Sequence, residues 1–213
     1  MGLFGSKSID PAVVAAHPAP APYQHLLALG TPLIERDHGI GASYTFFDPR
    51  EGRKTKYLFD LWEIGDLRGL DAAVSLLLER SHDLSLIGNR GKANKAVLNA
   101  YQKATKKTAN PGLDYSEARI ASVTDFGACH LEYAAMLLRN AFPFGYTTDE
   151  QIFARLQMVH NEVTNRFANW NDYMISADKS SHVDTTFGFP DGAPTYLRLA
   201  ADPNFAFSRF PLH

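Results

Sequence analysis

The sequence predicts a mainly α protein: a single compact helical domain with an extended N-terminal arm and, at most, a small β-hairpin. Two observations support this class. From Leu67 onward, apolar residues recur at the spacing of amphipathic helices. Hydrophobic residues make up 45% and charged residues 21% of the 213-residue chain, which is the balance of a globular protein with a sizeable core. We therefore divide the chain into an arm (1–22), a helical domain (23–177) and an aromatic tail (178–213).

The first 22 residues differ in composition from the rest of the chain. The stretch "SIDPAVVAAHPAPAPY" is rich in Ala and Pro, which disfavours helix and favours an extended polyproline conformation. The following "YQHLLALG" predicts a short helix that ends at Gly30. Aromatic residues on both sides of a "DPREG" turn predict a short β-hairpin around Tyr44 to Leu58.

Helical patterns fill the centre of the chain. One helix is predicted from Leu67, in "LRGLDAAVSLLLERSHDL", and a second around Ala93, in "KANKAVLNAYQKATKK", with an "NRG" turn between them. The mostly apolar stretch from Glu117 to Phe142 predicts one long helix that other helices surround.

Capping patterns predict two further helices. In "TTDEQIFARLQMVHNEVTNRF", a threonine followed by Glu150 or Gln151 forms a capping box, so a helix is expected from Asp149. Asn169 is the expected cap of a last core helix that begins at Trp170.

The tail carries many aromatic residues among turn-forming ones. Phe205, Phe207 and Phe210 have two interpretations. They can serve as anchors in an interface with a protein partner, where aromatic residues are enriched. They can equally seal the protein's own core.

Composition excludes several function classes. The formal net charge is −2, so no basic field exists to hold a phosphate backbone, and nucleic-acid binding is not expected. The basic run around Lys103 is interpreted as a solvated helix face. No apolar run approaches the roughly 20 residues that span a bilayer.

Cys129 is the only cysteine, which precludes an intramolecular disulfide and is typical of a reducing compartment, so a cytoplasmic location is expected. We interpret Cys129 as a buried small hydrophobic residue rather than a nucleophile.

Two segments resemble the bacterial family called domain of unknown function 1266 (DUF1266). In the first, an Arg precedes Gly-Tyr by six residues, and an acidic helix start and an aromatic segment follow; the matching residues are Arg139, Gly145, Tyr146, Glu150, Phe167, Trp170 and Tyr173. Upstream, the matching residues are Trp62, Ile64, Leu70, Leu77 and His82. The similarity covers residues 57–177; it departs from the family at Glu63, Cys129 and His130. The resemblance implies an α-helical bacterial cytosolic domain and no particular activity.

The start "MGLFGSKS" matches the pattern for N-myristoylation of Gly2 after removal of Met1, with Ser6 at the required position. The bacterial resemblance argues against acylation, because bacteria do not generally myristoylate proteins. A single acyl chain would also give only marginal membrane anchoring. We therefore favour an unmodified Gly2 and keep acylation as the alternative.

The candidate catalytic residues are His82, His130, Glu132 and His160. If their helices are neighbours, the three histidines can converge with a carboxylate, as in a catalytic metal site. However, no His-x-x-x-His pair is present to place two histidine ligands on one helix face, and no metal or other cofactor is expected. The stretch "GNRGKANK" precedes a helix but lacks the spacing of a phosphate-binding loop, and we interpret it as a turn.

Arg139 lies in an otherwise apolar segment. A guanidinium in such surroundings needs a carboxylate or several helix-end carbonyls as partners. Asp125, Glu132 or a residue of the helix at Asp149 can supply the carboxylate. A structural role is favoured over that of a substrate-binding residue.

Taken together, these patterns predict a non-catalytic, protein-binding domain in a bacterial toxin, immunity or secretion-associated system. The expected binding residues are Phe205, Phe207, Phe210 and Arg139. The alternative is an enzyme or translocated effector whose site uses the His and carboxylate residues, with a metal ion as an option.

Overall fold

The computed structural model describes residues 21–38, 59–84, 90–141, 146, 148–184, 192–201 and 206–213. Ala21–Ala28 forms a 3-10 helix. The α-helices are α1 (Thr31–His38), α2 (Leu67–Asp83), α3 (Arg90–Thr105), α4 (Glu117–Ser122), α5 (Ala128–Ala141), α6 (Asp149–Arg166), α7 (Trp170–Ser180), α8 (Gly192–Ala201) and α9 (Ala206–Arg209). These described segments contain no strand, and the predicted mainly α class is confirmed. The predicted hairpin and residues 1–20 of the predicted arm lie outside the described residues.

Side-chain caps begin four of the described helices, among them α4, which Ser116 caps by accepting from the N–H of Arg119. Thr148 and Gln151 form the predicted capping box at α6: the Gln151 N–H donates to Thr148 Oγ1 (3.4 Å), and the Thr148 N–H donates to Gln151 Oε1 (3.0 Å). Asn169 caps α7 as predicted, and Asp66 caps α2 through the N–H of Gly69. Each cap satisfies a backbone donor that has no partner within its helix.

Helix α5 is the centre of the core. All but one of its residues are buried, and it packs against α1, α2, α6 and α7. Gly30, which follows the 3-10 helix, has a φ of +74° and lies so close to α5 that an added Cβ would stand 2.8 Å from the backbone N of Met136. A glycine is therefore required for the chain to turn against α5 at this point.

The single helix predicted from Glu117 to Phe142 is wrong, because residues 123–127 separate α4 from α5. Val123 has an extended backbone and ends α4. Asp125 then accepts a 2.8 Å hydrogen bond from the N–H of Gly127, just before α5 begins. The apolar spacing continues across this break, which is why periodicity alone did not reveal it.

The C-terminal helices complete the domain on the side of α3 and α7. Helix α8 packs against α3, α7 and α1, and α3 packs against α7 as well as α4. This arrangement brings the C-terminal half of α3, the C-terminal end of α7 and the first turn of α8 together.

Candidate functional site

The three candidate histidines have three different surroundings. His82 Nε2 lies 3.1 Å from Glu162 Oε1, and His130, which is fully buried, lies 3.3 Å from Asp184 Oδ2. His160 packs edge-on against His25, with 5.1 Å between ring centroids. Within the described part of the chain, His, Cys, Asp and Glu residues form no group of three or more that could hold a metal ion. The convergence that a metal site would need is thus not seen among these residues.

Burial disfavours the charged form of two of these histidines. It lowers the pKa of His130, although the nearby Asp184 carboxylate opposes the shift. Burial and the neighbouring His25 and His213 lower the pKa of His160 to about 4. Both rings are therefore neutral at pH 7, as expected of histidines packed inside a fold.

Glu132 is a fully buried carboxyl group on α5. Its Oε1 accepts hydrogen bonds from the Tyr173 hydroxyl (2.7 Å) and from the N–H of Gly30 (3.2 Å). Burial raises the pKa of Glu132 to about 7, although both hydrogen bonds and the charge of Arg139 oppose the shift. Glu132 therefore connects α5 to α7 and to the turn at Gly30.

Arg139 lies two turns further along α5 and is also buried. Its Nη1 donates to Leu27 O (2.9 Å), Leu29 O (3.0 Å) and Thr31 Oγ1 (2.6 Å). These acceptors lie at the end of the 3-10 helix, so the predicted helix-end carbonyls are found. Burial lowers the pKa of Arg139 to about 10, and the Glu132 carboxylate opposes this, so the guanidinium is charged at pH 7.

The aromatic tail contributes to the core. Phe207 is buried and stacks on Trp170 with 4.6 Å between ring centroids. Phe210 is half-buried, and its carbonyl accepts a 2.7 Å hydrogen bond from Trp170 Nε1. Phe207 thus matches the interpretation in which the tail seals the protein's own core, whereas Phe205 lies outside the described residues. A partner-binding role for Phe205 and Phe210 stays a prediction.

A cleft of about 590 Å³ lies where α3, α7 and α8 meet. Its volume is within the range of small-molecule sites. Apolar side chains from α3 and α8 line it: Val97, Ala100, Ala104, Ala193 and Pro194. We call this site the α3–α7–α8 cleft.

Exposed basic side chains stand at the margin of the α3–α7–α8 cleft. Lys103 lies on the last turn of α3 and Lys107 in the turn that follows this helix, Arg198 lies on α8, and His182 follows α7. Burial lowers the pKa of His182, and the charge of Lys92 adds to this effect, so its ring is neutral at pH 7. The three permanent cations give the margin a positive charge, although the whole chain has a net charge of −2.

Asp178, on α7, is the one carboxylic acid among the described residues that line the cleft. Only 5% of its surface is exposed, and its Oδ2 accepts a 3.4 Å hydrogen bond from the Tyr115 hydroxyl. Burial raises the pKa of Asp178 to about 8, although Tyr115 and the N–H of Ala193 oppose the shift. At pH 7 the group is therefore mostly a neutral acid with an O–H to donate.

Sequence reasoning missed this cleft. It interpreted the run that contains Lys103 and Lys107 as a solvated face, and it placed Asp178 at the boundary between domain and tail. The available signal was the pair of lysines one turn apart beside small apolar residues of α3. Nothing local indicated that α8 would form the opposite wall.

Comparisons with protein-family models, with curated proteins and with solved structures find no match for this chain. The resemblance to DUF1266 therefore stays a prediction. In the segments that the structure describes, no helix is both long enough and apolar enough to cross a bilayer.

Proposed function

We propose that this protein is a non-catalytic binding domain whose ligand occupies the α3–α7–α8 cleft. The observation that carries the proposal is the cleft itself: a concave site of about 590 Å³ with small apolar walls and polar groups that converge on it. Ligand sites typically combine an apolar surface with a few placed polar groups in this way.

The polar groups of the cleft suit recognition better than catalysis. Lys103, Lys107 and Arg198 are cations that can attract a charged ligand. Ser181, a hydroxyl residue in the lining, donates a 2.7 Å hydrogen bond to the carbonyl of Asp178 and thereby closes the end of α7. That bond directs the hydroxyl proton to the backbone, whereas an activated nucleophile would give it to a base.

The test uses the fluorescent probe 8-anilinonaphthalene-1-sulfonate (ANS), which combines an apolar ring system with an anionic group. We expect ANS to bind the full chain with about 1:1 stoichiometry. Ala100 lines the cleft, so Ala100→Trp should fill it and weaken binding by about tenfold or more. Ala72 is exposed on α2 and does not line the cleft, so Ala72→Trp is the matched control.

Circular dichroism and a thermal melt establish that both variants are folded. Equal ANS binding by Ala100→Trp, Ala72→Trp and the natural chain would show that the probe binds elsewhere and would contradict the proposal. Loss of binding in Ala100→Trp alone would support it.

A further inference from the structure

We propose that the α3–α7–α8 cleft selects ligands that carry a carboxylate on an apolar body, with Lys103, Lys107 and Arg198 attracting the carboxylate and Asp178 donating a hydrogen bond to it. This inference rests on the proposed function. It adds the chemical class of the ligand and assigns a role to a buried acid in a positively charged site.

The distribution of charge favours an anionic ligand. Lys103, on the last turn of α3, and Lys107, in the turn after it, are exposed side chains that line the cleft, and Arg198 reaches the cleft from α8. The Nη2 of Arg198 donates to Thr195 Oγ1 at 3.3 Å, which leaves the other guanidinium nitrogens for a ligand. Cations from two facing helices can therefore converge on one bound anion.

Asp178 is suited to donate to that anion. An ionised carboxylate at this position would repel an anionic ligand, but burial holds the pKa of Asp178 at about 8, so the protonated form prevails at pH 7. Tyr115, from the segment before α4, contacts Asp178, and the basic groups that line the same cleft are His182 after α7, Arg198 on α8, Lys103 on α3 and Lys107 just after α3. A hydrogen bond from a neutral acid to a carboxylate is charge-assisted and strong.

The walls favour an apolar body on the ligand. Val97, Ala100 and Ala104 on α3 and Ala193 and Pro194 on α8 offer surface for an aliphatic or aromatic group. A carboxylate with a single charge and a short apolar chain satisfies both the walls and the margin. Such a group occurs in free carboxylic acids and at the C-terminus of a partner protein, the kind of partner that the sequence led us to expect.

The experiment compares octanoate with 1-octanol by calorimetry on the full chain at pH 6.5. The two probes share an apolar chain and differ in the carboxylate. We expect octanoate to bind about tenfold more tightly or better. The double variant Lys103→Gln/Lys107→Gln should remove most of this preference, since it removes two of the three cations that attract the carboxylate, and both positions are exposed.

A pH series tests the contribution of Asp178 to octanoate binding. Octanoate is ionised at both pH 6.5 and pH 9.5, yet its affinity for the natural chain should fall by about tenfold over this interval as Asp178 loses its proton. Asp178→Asn keeps a donor at every pH, so its affinity should change much less. If Asp178→Asn fails to fold, the lysine variant and the pH dependence of octanoate binding by the natural chain still test the carboxylate inference.

Three outcomes distinguish a failure of the carboxylate inference from a failure of the proposed function, and identify the source of the carboxylate. Equal affinity for octanoate and octanol, or full octanoate affinity in the lysine variant, would overturn the carboxylate inference and leave the binding function in place. No binding of ANS, octanoate or octanol would overturn the proposed function itself. A short peptide with a free C-terminal carboxylate, compared with its amide, identifies the source: tighter binding of the peptide than of octanoate would assign the carboxylate to a protein partner.

Discussion

Arg139 shows how one buried charge can hold two distant parts of the chain together. Its guanidinium satisfies the carbonyls of Leu27 and Leu29 and the hydroxyl of Thr31, which lie more than 100 residues away in sequence. The Thr31 hydroxyl in turn donates to the carbonyl of Leu27. Since these acceptors are buried, water cannot replace the hydrogen bonds that Arg139 donates to them.

Arg139→Ala is therefore expected to lower the free energy of unfolding by about 3 kcal/mol. The substitution removes three hydrogen bonds to buried acceptors and the positive charge that favours ionised Glu132. Urea denaturation followed by circular dichroism measures the change. Arg68→Ala on α2 is the control, because Arg68 is exposed.

An unchanged denaturation midpoint in Arg139→Ala would contradict the structural role and favour a ligand-binding one. The general role of Arg139 was predictable, because an arginine within "AAMLLRNAF" must have buried partners. The identity of those partners was not predictable, since it depends on how the segment from Leu27 to Thr31 docks on α5. Asp178 was missed for the same reason: its burial depends on Tyr115 and Ala193, both distant in sequence.

At the level of elements, features that the local sequence determines were predicted correctly, whereas a feature that tertiary contacts determine was not. The starts of α6 and α7 were predictable because each cap is formed by residues within four positions of one another in the sequence. The break between α4 and α5 was not, because it is stabilised from outside by Arg166 of α6. Its guanidinium forms two hydrogen bonds with Asp125, at 2.8 and 2.7 Å, and one of 2.9 Å with the carbonyl of Ser81.

Gly127 is the point at which this break is most tightly packed. A Cβ added there would lie closer than 3 Å to Ser81 O and to Arg166 Nη2. Gly127→Ala should therefore force α5 away from the end of α2 and lower the free energy of unfolding by about 1–3 kcal/mol. Gly65→Ala is the matched control, since a Cβ at Gly65 meets no atom within 4 Å.

Thermal and urea denaturation of the two variants provide the comparison. If Gly127→Ala and Gly65→Ala are equally stable, the close packing between Gly127, Ser81 and Arg166 does not contribute to stability.

For the whole molecule, the mainly α class followed from periodicity, whereas the cleft did not. Helical spacing reports which face of a helix is buried, so it predicted the central helices from Leu67 and Asp149. It does not report which helices become neighbours. The cleft arises because α8, in the predicted tail, packs against both α3 and α7.

The burial of two carboxyl groups in this fold determines how the stability of the protein depends on pH. Glu132 and Asp178 have ordinary pKa values of 4.5 and 3.8, and burial raises these to about 7 and about 8. Between the ordinary and the raised values, the folded protein holds protons that the unfolded chain has released, so stability falls as pH rises. The pKa of His160 is lowered from 6.5 to about 4, so His160 acts in the opposite direction below pH 6.5.

We therefore expect the two acids to lower stability as pH rises from about 4.5 to about 8, and to do so without opposition from His160 above about pH 6.5. Each raised carboxyl contributes a slope of up to roughly 1.4 kcal/mol per pH unit in that interval. Glu132→Gln should reduce the slope between pH 5 and pH 7, because the amide that replaces the carboxyl group has no proton to lose. Glu117→Gln, at an exposed position on α4, should preserve it. Urea denaturation at half-unit pH steps measures the slopes, and a natural chain as stable at pH 8 as at pH 6 would show that these two buried acids do not govern its stability.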